Sequence, residues 1–334
     1  MKIGIKTMPF FINYGGILQA YALKTYLEHQ GFVVSLIESD LKAIWYKKIK
    51  RYIWNMLGLN KVYFKQFIKN NFKFIQTKKS ISKLDAIVAG SDQIWRRDFF
   101  YEFKGEFFLD FAYKRKIKKI AYAASFGLDS WDYTQEETDK YKNYLADFTG
   151  VSVREDSAVS LCHQYLNVEA IKTVDPTLLL TSLEYDKIKS IKTNREKFVF
   201  IYWLGDVVKL DALITKANIT IPIKFVRLKK IEELIPIEDW IWNIANAEYV
   251  ITDSFHGCVF SILYKKQFGA FLNQSGGTSR IKSLLTMLHL SDYCMQNNID
   301  EQQLKKRIDY TAVFKLLAAE KNKSTSFLCK SLSL

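Results

Sequence analysis

Strand-like and helix-like segments alternate along nearly the whole chain, and this alternation constrains the fold more than any other feature. Apolar stretches at 2–7, 32–38 and 85–91 are interspersed with amphipathic stretches such as 15–31 and 134–148. Parallel strands that are joined through covering helices produce this pattern. The sequence therefore predicts an α/β fold built on parallel sheets.

The pattern restarts in the second half of the chain. An apolar stretch around Pro176 closes the first half, a lysine-rich stretch follows at 181–197, and new strand-like segments begin there. A chain of 334 residues is also long enough for two domains of ordinary size. We predict two Rossmann-like domains that face each other across a cleft. Residues 1–180 form the N-terminal domain, and residues 181–334, including a C-terminal helical tail, form the C-terminal domain.

Composition narrows the class of protein. Hydrophobic residues make up 49% of the chain, enough for two packed cores. No apolar run reaches the roughly 18–20 residues that a membrane span needs. The first residues, MKIGIKTMPFF, indicate a strand rather than a signal peptide, so a cytoplasmic protein is expected. The four cysteines lie far apart without metal-ligand spacing, which favours reduced, buried thiols and predicts no metal site.

The charge of the chain is uneven. The net charge is +14, which points to an anionic partner. Between Asp40 and Asp85 there are twelve Lys or Arg residues and no acidic residue, so residues 41–84 are predicted to form a basic, aromatic, helical insertion. Two interpretations stay open: docking on an anionic membrane surface, or packing of the aromatic residues on the first domain. Nucleic-acid binding is not expected, because no recognition motif accompanies the charge.

Five polar loops lie where open α/β sheets bind ligands, beyond the carboxyl ends of strands. They are NYGGILQA (13–20), GSDQIW (90–95), SVRED (152–156), TDSFHG (252–257) and NQSGGTSRI (273–281). We expect these loops to supply the functional residues.

The loop TDSFHG combines a proton-transfer group with an anion site. The helix that follows exposes free N–H groups and partial positive charge at its first turn, which favours a phosphate. Thr252 and Ser254 add hydroxyl groups, and Gly257 allows the backbone to approach a ligand closely. His256 suits proton transfer near neutral pH, and Asp253 is expected to orient it or to act as a base. A helix cap with a structural histidine is the alternative.

The loop NQSGGTSRI also precedes a helix whose first turn favours an anion. Thr278 or Ser279 is expected to cap the next helix, and Arg280 falls in its first turn. A cation there is opposed by the helix dipole, but it becomes useful if it grips a phosphate or a carboxylate. An exposed arginine on a capped helix is the alternative.

Two loops supply polar side chains in the first half. Arg154 follows a strand and is a second candidate for binding an anion, although a salt bridge within SVRED would also explain it. Ser91, Asp92 and Gln93 follow another strand, with Trp95 behind them. Asp, Gln and a flat aromatic ring are also residue types that bind sugars. A cap with a core tryptophan is the alternative.

These motifs, in this order, resemble the polysaccharide pyruvyl transferase family. The resemblance rests on GGILQAYAL, AIVAGSDQIW, AYAASFG, VSVREDSAV, VDPTLLL, VITDSFHGCVFSILYKKQF and SRIKSLL, and it covers roughly residues 3–290. It implies a GT-B-like fold. It also implies transfer of the enolpyruvyl unit of phosphoenolpyruvate onto a sugar, which leaves a pyruvate ketal across two hydroxyls. Asp175, in VDPTLLL, is most simply a turn residue.

One motif departs from the family. Some members carry S-x-R-x-H-[AG] where this chain has TDSFHG, so Ser254 stands at the position of the motif arginine. The donor anion then needs another cation. Arg280 is the first candidate for that cation, and Arg154 is the second.

The resemblance gives the loops expected roles. His256 is expected to be the acid–base group or to assist the leaving phosphate, and Asp92 or Asp253 is expected to be the base toward the sugar. The donor is expected to bind at Arg280, Arg154, Thr252, Ser254, Gly257 and Ser279. The acceptor sugar is expected to bind at Asn13, Tyr14, Gly15, Gly16, Gln19, Ser91, Gln93 and Trp95. This scheme requires no metal or other cofactor.

Two other functions stay open from the sequence. A GT-B glycosyltransferase that uses a nucleotide sugar would share the two-domain cleft and the helix-end phosphate sites. A non-catalytic protein that binds anionic glycans or lipids would not need His256. For a pyruvyl transferase, the expected acceptor is a sugar of a bacterial surface polysaccharide or its lipid-linked oligosaccharide precursor. The lipid-linked acceptor would place the protein at the inner face of the cell membrane.

Overall fold

The computed structural model of this protein is a pair of parallel α/β sheets with their helices. The structure describes residues 1–10, 13–38, 62–75, 81–100, 105–193, 196–217, 219–273, 278–296 and 298–333. Residues 41–61 and 76–80 of the predicted basic insertion, and residues 274–277 of the loop NQSGGTSRI, lie outside the described residues.

The first sheet contains seven parallel strands. Along the sheet they run in the order β3-β2-β1-β4-β5-β6-β7. Their bounds are β1 (Lys2–Lys6), β2 (Val33–Ile37), β3 (Phe74–Ile75), β4 (Ala86–Asp92), β5 (Lys118–Ala124), β6 (Gly150–Val153) and β7 (Ile171–Lys172). The helices that cover this sheet are α1 (Tyr14–His29), α2 (Val62–Asn71), α3 (Arg97–Phe100), α4 (Gln135–Leu145) and α5 (Asp156–Leu161).

Shorter helical turns complete this half. α5 continues into a π-helical turn at Cys162–Leu166. Among the described residues of this half, 3₁₀ turns lie at Ile81–Lys83, Glu106–Phe108, Asp110–Ala112 and Pro176–Leu178.

The second sheet contains five parallel strands, in the order β12-β11-β10-β8-β9. Their bounds are β8 (Val199–Trp203), β9 (Ile223–Arg227), β10 (Tyr249–Thr252), β11 (Gln267–Phe271) and β12 (Cys294–Met295). The accompanying helices are α6 (Ser182–Asp186), α7 (Val207–Lys216), α8 (Ile237–Asn246), α9 (Phe255–Leu263), α10 (Ser279–Met287), α11 (Glu301–Lys305) and α12 (Tyr310–Leu332), with 3₁₀ turns at Ile231–Glu233 and Ser291–Tyr293. The predicted class, two parallel-sheet α/β units, is confirmed.

The central strands are buried because helices cover both faces of each sheet. Every residue of β4 and of β8 is buried. Both strands accordingly consist mainly of apolar residues, as strands covered on both faces do. In β4 the apolar run ends in Ser91 and Asp92, so the polar residues emerge only at its carboxyl end.

Helix starts follow local capping chemistry. α4 begins at a capping box, in which Thr134 and Glu137 each satisfy the other's backbone N–H. α9 begins after Ser254, whose side chain accepts a hydrogen bond from the N–H of Gly257. These caps determine the residues at which α4 and α9 begin.

The last helix, α12, packs differently from the predicted domain division. At its start, the Tyr310 hydroxyl donates to the carbonyl of Lys266, beside the second sheet. Further along, the Ser324 hydroxyl accepts from the N–H of Val174 at 2.9 Å. At its end, Lys118 Nζ donates to the carbonyl of Leu332 at 2.8 Å, on the first sheet. The predicted tail of the C-terminal domain therefore also belongs to the first sheet, because its apolar face reaches across to that core.

One aromatic residue joins the two halves. Tyr14, at the start of α1, stacks on Trp240 of α8 with ring centroids 5.3 Å apart. Its hydroxyl donates to the carbonyl of Ile235 at 2.8 Å and accepts from the N–H of Ile235 at 3.0 Å. Tyr14 is fully buried, so it is a packing residue of the interface between the sheets rather than an exposed sugar ligand.

The described part of the basic insertion packs on the first domain. Phe64, Phe67 and Phe72 are buried, and Phe64 lies against Tyr14 with ring centroids 5.0 Å apart. The lysines of the same segment face outward. Packing of the aromatic residues is therefore observed for this part. In the part of the chain that the structure describes, no helix combines the length and the apolar character of a membrane span.

We expect Tyr14→Phe to lower the free energy of unfolding by about 1–3 kcal/mol, because it leaves both backbone groups of Ile235 without their buried partner. Urea unfolding followed by far-UV circular dichroism measures this change. Tyr113→Phe is the matched control, since the hydroxyl of Tyr113 makes no hydrogen bond with a described residue. Equal stability of the two variants would contradict the role of Tyr14.

Candidate functional site

The strand order places a crevice at the carboxyl ends of both sheets. In an open α/β sheet, ligands bind where the strand order reverses. That point lies between β1 and β4 in the first sheet and between β8 and β10 in the second. The loops after β4 and β10 are GSDQIW and TDSFHG, so the topology brings two of the predicted loops to the two switch points.

The first sheet contributes Asp92, Arg154 and Asp175 to this crevice. Asp92 is the last residue of β4 and has a left-handed backbone conformation, with φ of 71°. Only a few residue types other than glycine adopt this conformation readily, and Asp is one of them. Arg154 follows β6, and Asp175 precedes the 3₁₀ turn at Pro176–Leu178. All three side chains are buried.

A buried ion-pair network joins these residues to the second sheet. Arg154 Nη1 lies 2.5 Å from Asp175 Oδ2, and Arg154 Nη2 lies 3.2 Å from Asp92 Oδ1. Arg280, from α10, places Nη1 3.5 Å from the same Asp92 oxygen. His256 Nε2 lies 3.6 Å from Asp175 Oδ2. The network therefore crosses the crevice at two points, through Arg280 and through His256.

The charged groups in this network shift one another's pKa values. Burial raises the pKa of Asp175, but His256 and Arg154 outweigh burial and hold that pKa well below its usual range. Burial likewise raises the pKa of Asp92, and Arg154, His256 and Arg280 lower it below its usual value. Burial, helped by the neighbouring charge of Arg154, lowers the pKa of Arg280 to about 10. The site therefore holds two ionised carboxylates and two guanidinium groups at neutral pH.

Phe255 supports both arginines. The guanidinium carbon of Arg154 lies 4.6 Å from the centroid of its ring, and that of Arg280 lies 5.8 Å from it. An arginine over an aromatic face is held by cation–π attraction. Phe255 thus brings two positive charges, one from each half of the chain, to the same place.

His256 lies in a narrow space against α1. A Cβ atom at Gly15 would stand 2.0 Å from His256 Nδ1, so only glycine leaves room for the imidazole. His256 Nε2 is buried and has no hydrogen-bond partner among the described residues. This nitrogen faces Asp175 Oδ2 at 3.6 Å, so the imidazole lies against a carboxylate.

Asp253 has a different environment from the one that the sequence suggested. Its carboxylate accepts from the N–H groups of Leu204 and Gly205 at 2.7 and 2.8 Å and from Asn273 Nδ2 at 3.0 Å. Burial raises its pKa to about 6. Among the described contacts, the carboxylate next to His256 is that of Asp175, so the expectation that Asp253 orients the imidazole is wrong. Asp253 holds the loop after β8 instead.

The other residues of the second-sheet loops are mainly structural. Thr252 Oγ1 donates to the carbonyl of Tyr202 at 2.7 Å, and Ser254 caps α9. A Cβ atom at Gly257 would stand 2.3 Å from Thr252 Oγ1, so this glycine permits close packing. The expected cap of α10 is absent from the described contacts, because Thr278 makes no side-chain cap hydrogen bond. Ser279 Oγ is buried and, within the described chain, has no partner.

Several predicted acceptor ligands prove to be packing residues. Trp95 is fully buried, stacks on Phe108 and donates to the carbonyl of Phe107 at 3.2 Å. Gln19 is fully buried and donates to Thr7 Oγ1 at 2.9 Å. Their faces are therefore closed to a sugar in this structure, and the prediction of these two residues, like that of Tyr14, is corrected.

The remaining acceptor candidates lie around the network. Ser91 Oγ donates to Asp175 Oδ2 at 3.2 Å, and Gln93 is buried beside Gly127. Asn13 caps α1, where its side chain accepts from the N–H of Gly16. Gly15 and Gly16 form the first turn of that helix.

Asp175 is the site residue that the sequence did not identify. The predicted turn role is present, because its Oδ1 accepts from the N–H and the hydroxyl of Thr177. Its Oδ2 contacts Arg154, Ser91 and His256. The indication in the sequence was that Asp175 stands in VDPTLLL, one of the motifs that resemble the family.

The arrangement suits a small anion beside a proton-transfer group. The two guanidinium groups, of which that of Arg280 is partly exposed, can bind phosphate or carboxylate bidentately, and His256 lies next to them. The described residues include no group of three or more His, Cys, Asp or Glu side chains that could hold a metal ion.

Known proteins share features of this chain. A family model described as polysaccharide pyruvyl transferase matches residues 13–275. No curated protein matches the sequence.

Among solved structures, UGT89C1 of Arabidopsis thaliana, crystallised with UDP-L-rhamnose, is similar with a TM-score of 0.56 and 11% identity, covering 100% of this chain and 99% of that one. A putative UDP-N-acetylglucosamine 2-epimerase from Listeria monocytogenes is similar with a TM-score of 0.51 and 10% identity, covering 96% of each chain. At such identities the likeness shows the fold alone. The predicted GT-B-like architecture is confirmed.

We expect Asp175→Asn to lower the free energy of unfolding at pH 7 by about 3–5 kcal/mol, because it leaves Arg154 buried without its closest counter-ion. The pKa of Asp175 is lower in the folded state than in the unfolded state. Its contribution is therefore complete above about pH 4 and is lost as the pH falls further. Urea unfolding at pH 7, 5 and 3.5 measures the difference. Asp129→Asn, at an exposed carboxylate, is the control, and an equal effect of both variants would contradict this role.

Proposed function

Because the chain belongs to the polysaccharide pyruvyl transferase family, we propose that it moves the enolpyruvyl unit of phosphoenolpyruvate onto a sugar. The product is a pyruvate ketal across two hydroxyls of a bacterial surface polysaccharide or of its lipid-linked precursor. Inorganic phosphate is the second product.

The observation that carries this proposal is the convergence of a buried arginine, Arg154, and a largely buried one, Arg280, beside a histidine. Arg154 and Arg280 approach the same oxygen of Asp92 at 3.2 and 3.5 Å. Phosphoenolpyruvate carries a phosphate and a carboxylate on three carbons, so it needs two cationic groups close together. Burial strengthens such contacts, because water does not screen them.

The positions of the arginines support the replacement of the family's motif arginine. Ser254 caps α9 in this chain and brings no charge. The ring of the next residue, Phe255, holds both guanidinium groups within 6 Å. In the proposed complex, Arg280 from α10 supplies the charge that the motif lacks, and Arg154 supplies a second charge from the first sheet.

The proposed reaction begins with proton transfer to carbon. His256, as general acid, gives a proton to the methylene carbon, and the double-bond electrons form the new C–H bond. The central carbon becomes an oxocarbenium-like cation that a sugar hydroxyl attacks. Asp92 accepts the proton of that hydroxyl as the C–O bond forms. Proton transfer by a positioned group contributes about 10²–10⁴-fold in rate.

The second half of the reaction closes the ketal. The bond between the central carbon and the phosphate oxygen breaks, and phosphate leaves with the electron pair toward Arg154 and Arg280. A second hydroxyl of the same sugar then attacks the cation and passes its proton to the departing phosphate. One donor and one diol thus give one ketal and one phosphate. Asp253 takes no part, because both of its oxygens already accept hydrogen bonds.

We expect phosphoenolpyruvate to raise the melting temperature of the protein in a saturable way, because a ligand that binds only the folded state stabilises it. Arg280→Ala is expected to weaken the affinity at least tenfold, because a charge-assisted contact is lost. Differential scanning fluorimetry over a concentration series measures both effects. Arg115→Ala, at an exposed arginine, is the control and should bind as the wild type does.

The same titration separates the other functions. Stabilisation by UDP-sugars without stabilisation by phosphoenolpyruvate would replace this proposal with a nucleotide-sugar glycosyltransferase. Stabilisation by phosphoenolpyruvate without phosphate release in the presence of any glycan would favour a binding protein.

We also propose that a lipid-linked acceptor brings the protein to an anionic membrane surface. The support is in the described part of the basic segment, where Lys65, Lys69 and Lys73 are exposed beside the exposed rings of Tyr63 and Phe74. Lysines near an anionic surface contribute about 1 kcal/mol each, and aromatic rings favour the interface.

Replacing the three lysines 65, 69 and 73 by alanine is expected to weaken binding to phosphatidylserine-containing vesicles by on the order of 100-fold. Co-sedimentation with vesicles at low salt measures the binding. The matched control removes the same charge from the second half, at the exposed lysines 209, 216 and 229. Equal loss in both variants, or binding that ignores lipid charge, would contradict membrane docking through this segment.

A further inference from the structure

The chain leaves the first sheet just before it reaches the ion-pair network. The strand β7 ends at Lys172, and the N–H of Thr173 still donates to the carbonyl of Val153 on β6 at 2.9 Å. Val174 follows, and the next residue is Asp175, whose carboxylate belongs to the network. The contacts that hold the backbone at Val174 therefore determine where the chain places Asp175.

Two side chains hold both backbone polar groups of Val174. Ser324 Oγ, on α12, accepts a hydrogen bond from the N–H of Val174 at 2.9 Å. The hydroxyl of Tyr122, on β5, donates to the carbonyl of Val174 at 3.0 Å. All three residues are buried, and Ser324 and Tyr122 are fully so. Because a buried backbone group without a partner is costly, these two contacts fix the backbone at Val174.

Helix propensity does not account for Ser324. This residue lies in the interior of a helix of 23 residues, where serine is a weaker helix former than alanine. Its hydroxyl donates to the carbonyl of Glu320 at 2.8 Å, which leaves the lone pairs of its oxygen for a second partner. The N–H of Val174 is that partner. The contact with the first sheet therefore explains a buried serine at this position of α12.

Tyr122 lies close to the charge of the network. Burial, with a contribution from the charge of Asp175, raises the pKa of the Tyr122 hydroxyl well above its usual value. The hydroxyl therefore keeps its proton, which its hydrogen bond to the carbonyl of Val174 requires.

Asp175 extends the effect of these contacts into the crevice. Its Oδ2 lies 2.5 Å from Arg154 Nη1 and 3.6 Å from His256 Nε2. Because water does not screen buried charges, even a small displacement of the Asp175 carboxylate changes its interaction with both partners. A change at Val174 is thus expected to reach both sides of the crevice.

We propose that Ser324 is a positioning residue of the crevice. From α12 it fixes the backbone at Val174, and it thereby places the Asp175 carboxylate against Arg154 and His256. In its consequence for the donor, this inference rests on the proposed function, in which Arg154 binds phosphoenolpyruvate and His256 transfers a proton.

The C-terminal helix then takes part in the site, although it was predicted only as a tail. The family model matches residues 13–275, and α12 lies beyond them. The motifs that resemble the family therefore contain no indication of this role.

Ser324→Ala is the test variant, because alanine removes the hydroxyl and favours the helix, so the protein is expected to fold. Ser331→Ala is the matched control. It removes another buried serine hydroxyl from α12, one that makes no hydrogen bond with residues 173–177 among the described contacts.

A second pair of variants tests the other contact of Val174. Tyr122→Phe removes the hydroxyl that donates to its carbonyl. Tyr293→Phe is the matched control, because the hydroxyl of buried Tyr293 also donates to a carbonyl, that of Lys306 at 3.2 Å, beside the second sheet.

The readout is the NMR signal of the His256 ring in protein labelled with ¹³C in its histidines. The chain contains four histidines, and the signal that disappears in His256→Gln is the one from His256. Without ligand at pH 7, we expect Ser324→Ala and Tyr122→Phe to move this signal by more than its line width, because the carboxylate next to the ring is displaced. The two control variants should leave it in place. A purely structural role would lower the stability without moving the signal.

An unmoved His256 signal in folded Ser324→Ala overturns the proposal, and so does an equal movement in Ser331→Ala. If Ser324→Ala does not fold, Tyr122→Phe decides in the same way, with Tyr293→Phe as its control.

A titration with phosphoenolpyruvate separates this inference from the proposed function. The affinity is expected to fall by about threefold to tenfold in Ser324→Ala, as the loss of one buried hydrogen bond does, and to stay at the wild-type value in Ser331→Ala. Equal affinity with a moved signal overturns the consequence for the donor alone.

The two proposals can fail separately. If the His256 signal moves as expected but phosphoenolpyruvate does not bind wild type, the positioning role stands and the proposed function fails. If phosphoenolpyruvate binds wild type and the signal does not move in Ser324→Ala, the positioning role fails and the proposed function stands.

Discussion

The pairing of buried charge around Arg154 is the constraint on which the crevice depends. A guanidinium group without water must have carboxylates around it, since an unpaired buried charge is very costly. Arg154 finds Asp175 at 2.5 Å and Asp92 at 3.2 Å. These carboxylates in turn attract Arg280 and His256 from the second half of the chain. The network therefore joins the two sheets by charge, next to the place where Tyr14 and Trp240 join them by ring stacking.

The fold brings these charged residues together, because the polar carboxyl ends of parallel strands lie along one edge of a sheet. The interior of each central strand is apolar, and the charged residues begin only where the strand stops. The two switch points then face each other, so groups that are distant in the chain become neighbours. Asp92 and Arg280 are 188 positions apart in sequence and still share a contact.

Sequence patterns were sufficient for the architecture and for the main charged residues. Strand and helix periodicity identified the long elements, because those depend on local pattern. Arg154 and Asp92 were candidates because they follow predicted strands, and Arg280 and His256 because they stand in the first turn of a helix, where an anion is favoured. Asp175 was missed because a role in a turn was a sufficient reason for an aspartate before Pro176. Its second carboxylate oxygen contacts residues that are distant in sequence and become neighbours only in the tertiary fold.

The errors share one physical cause. Trp95, Gln19 and Tyr14 have the residue types of a sugar site, but type does not tell which face a side chain presents. All three are fully buried, and the Trp95 N–H, the Gln19 amide N–H and the Tyr14 hydroxyl all donate to partners within the protein. Asp253 was likewise assigned to His256 because the two residues are close in sequence. In the structure the Asp253 carboxylate instead accepts hydrogen bonds from the backbone N–H groups of Leu204 and Gly205. The short strands β3, β7 and β12 contain too few residues for any periodicity to appear.

The C-terminal helix α12 has a mechanical consequence for the crevice. It begins against the second sheet and ends on the first, and a helix of its 23 residues is about 35 Å long. The chain also crosses between the sheets after the turn at Pro176–Leu178. Two bodies that are joined by a chain crossing and by a stiff helix cannot turn about arbitrary axes. Any opening of the crevice is therefore a rotation of one sheet relative to the other about the line through these two connections.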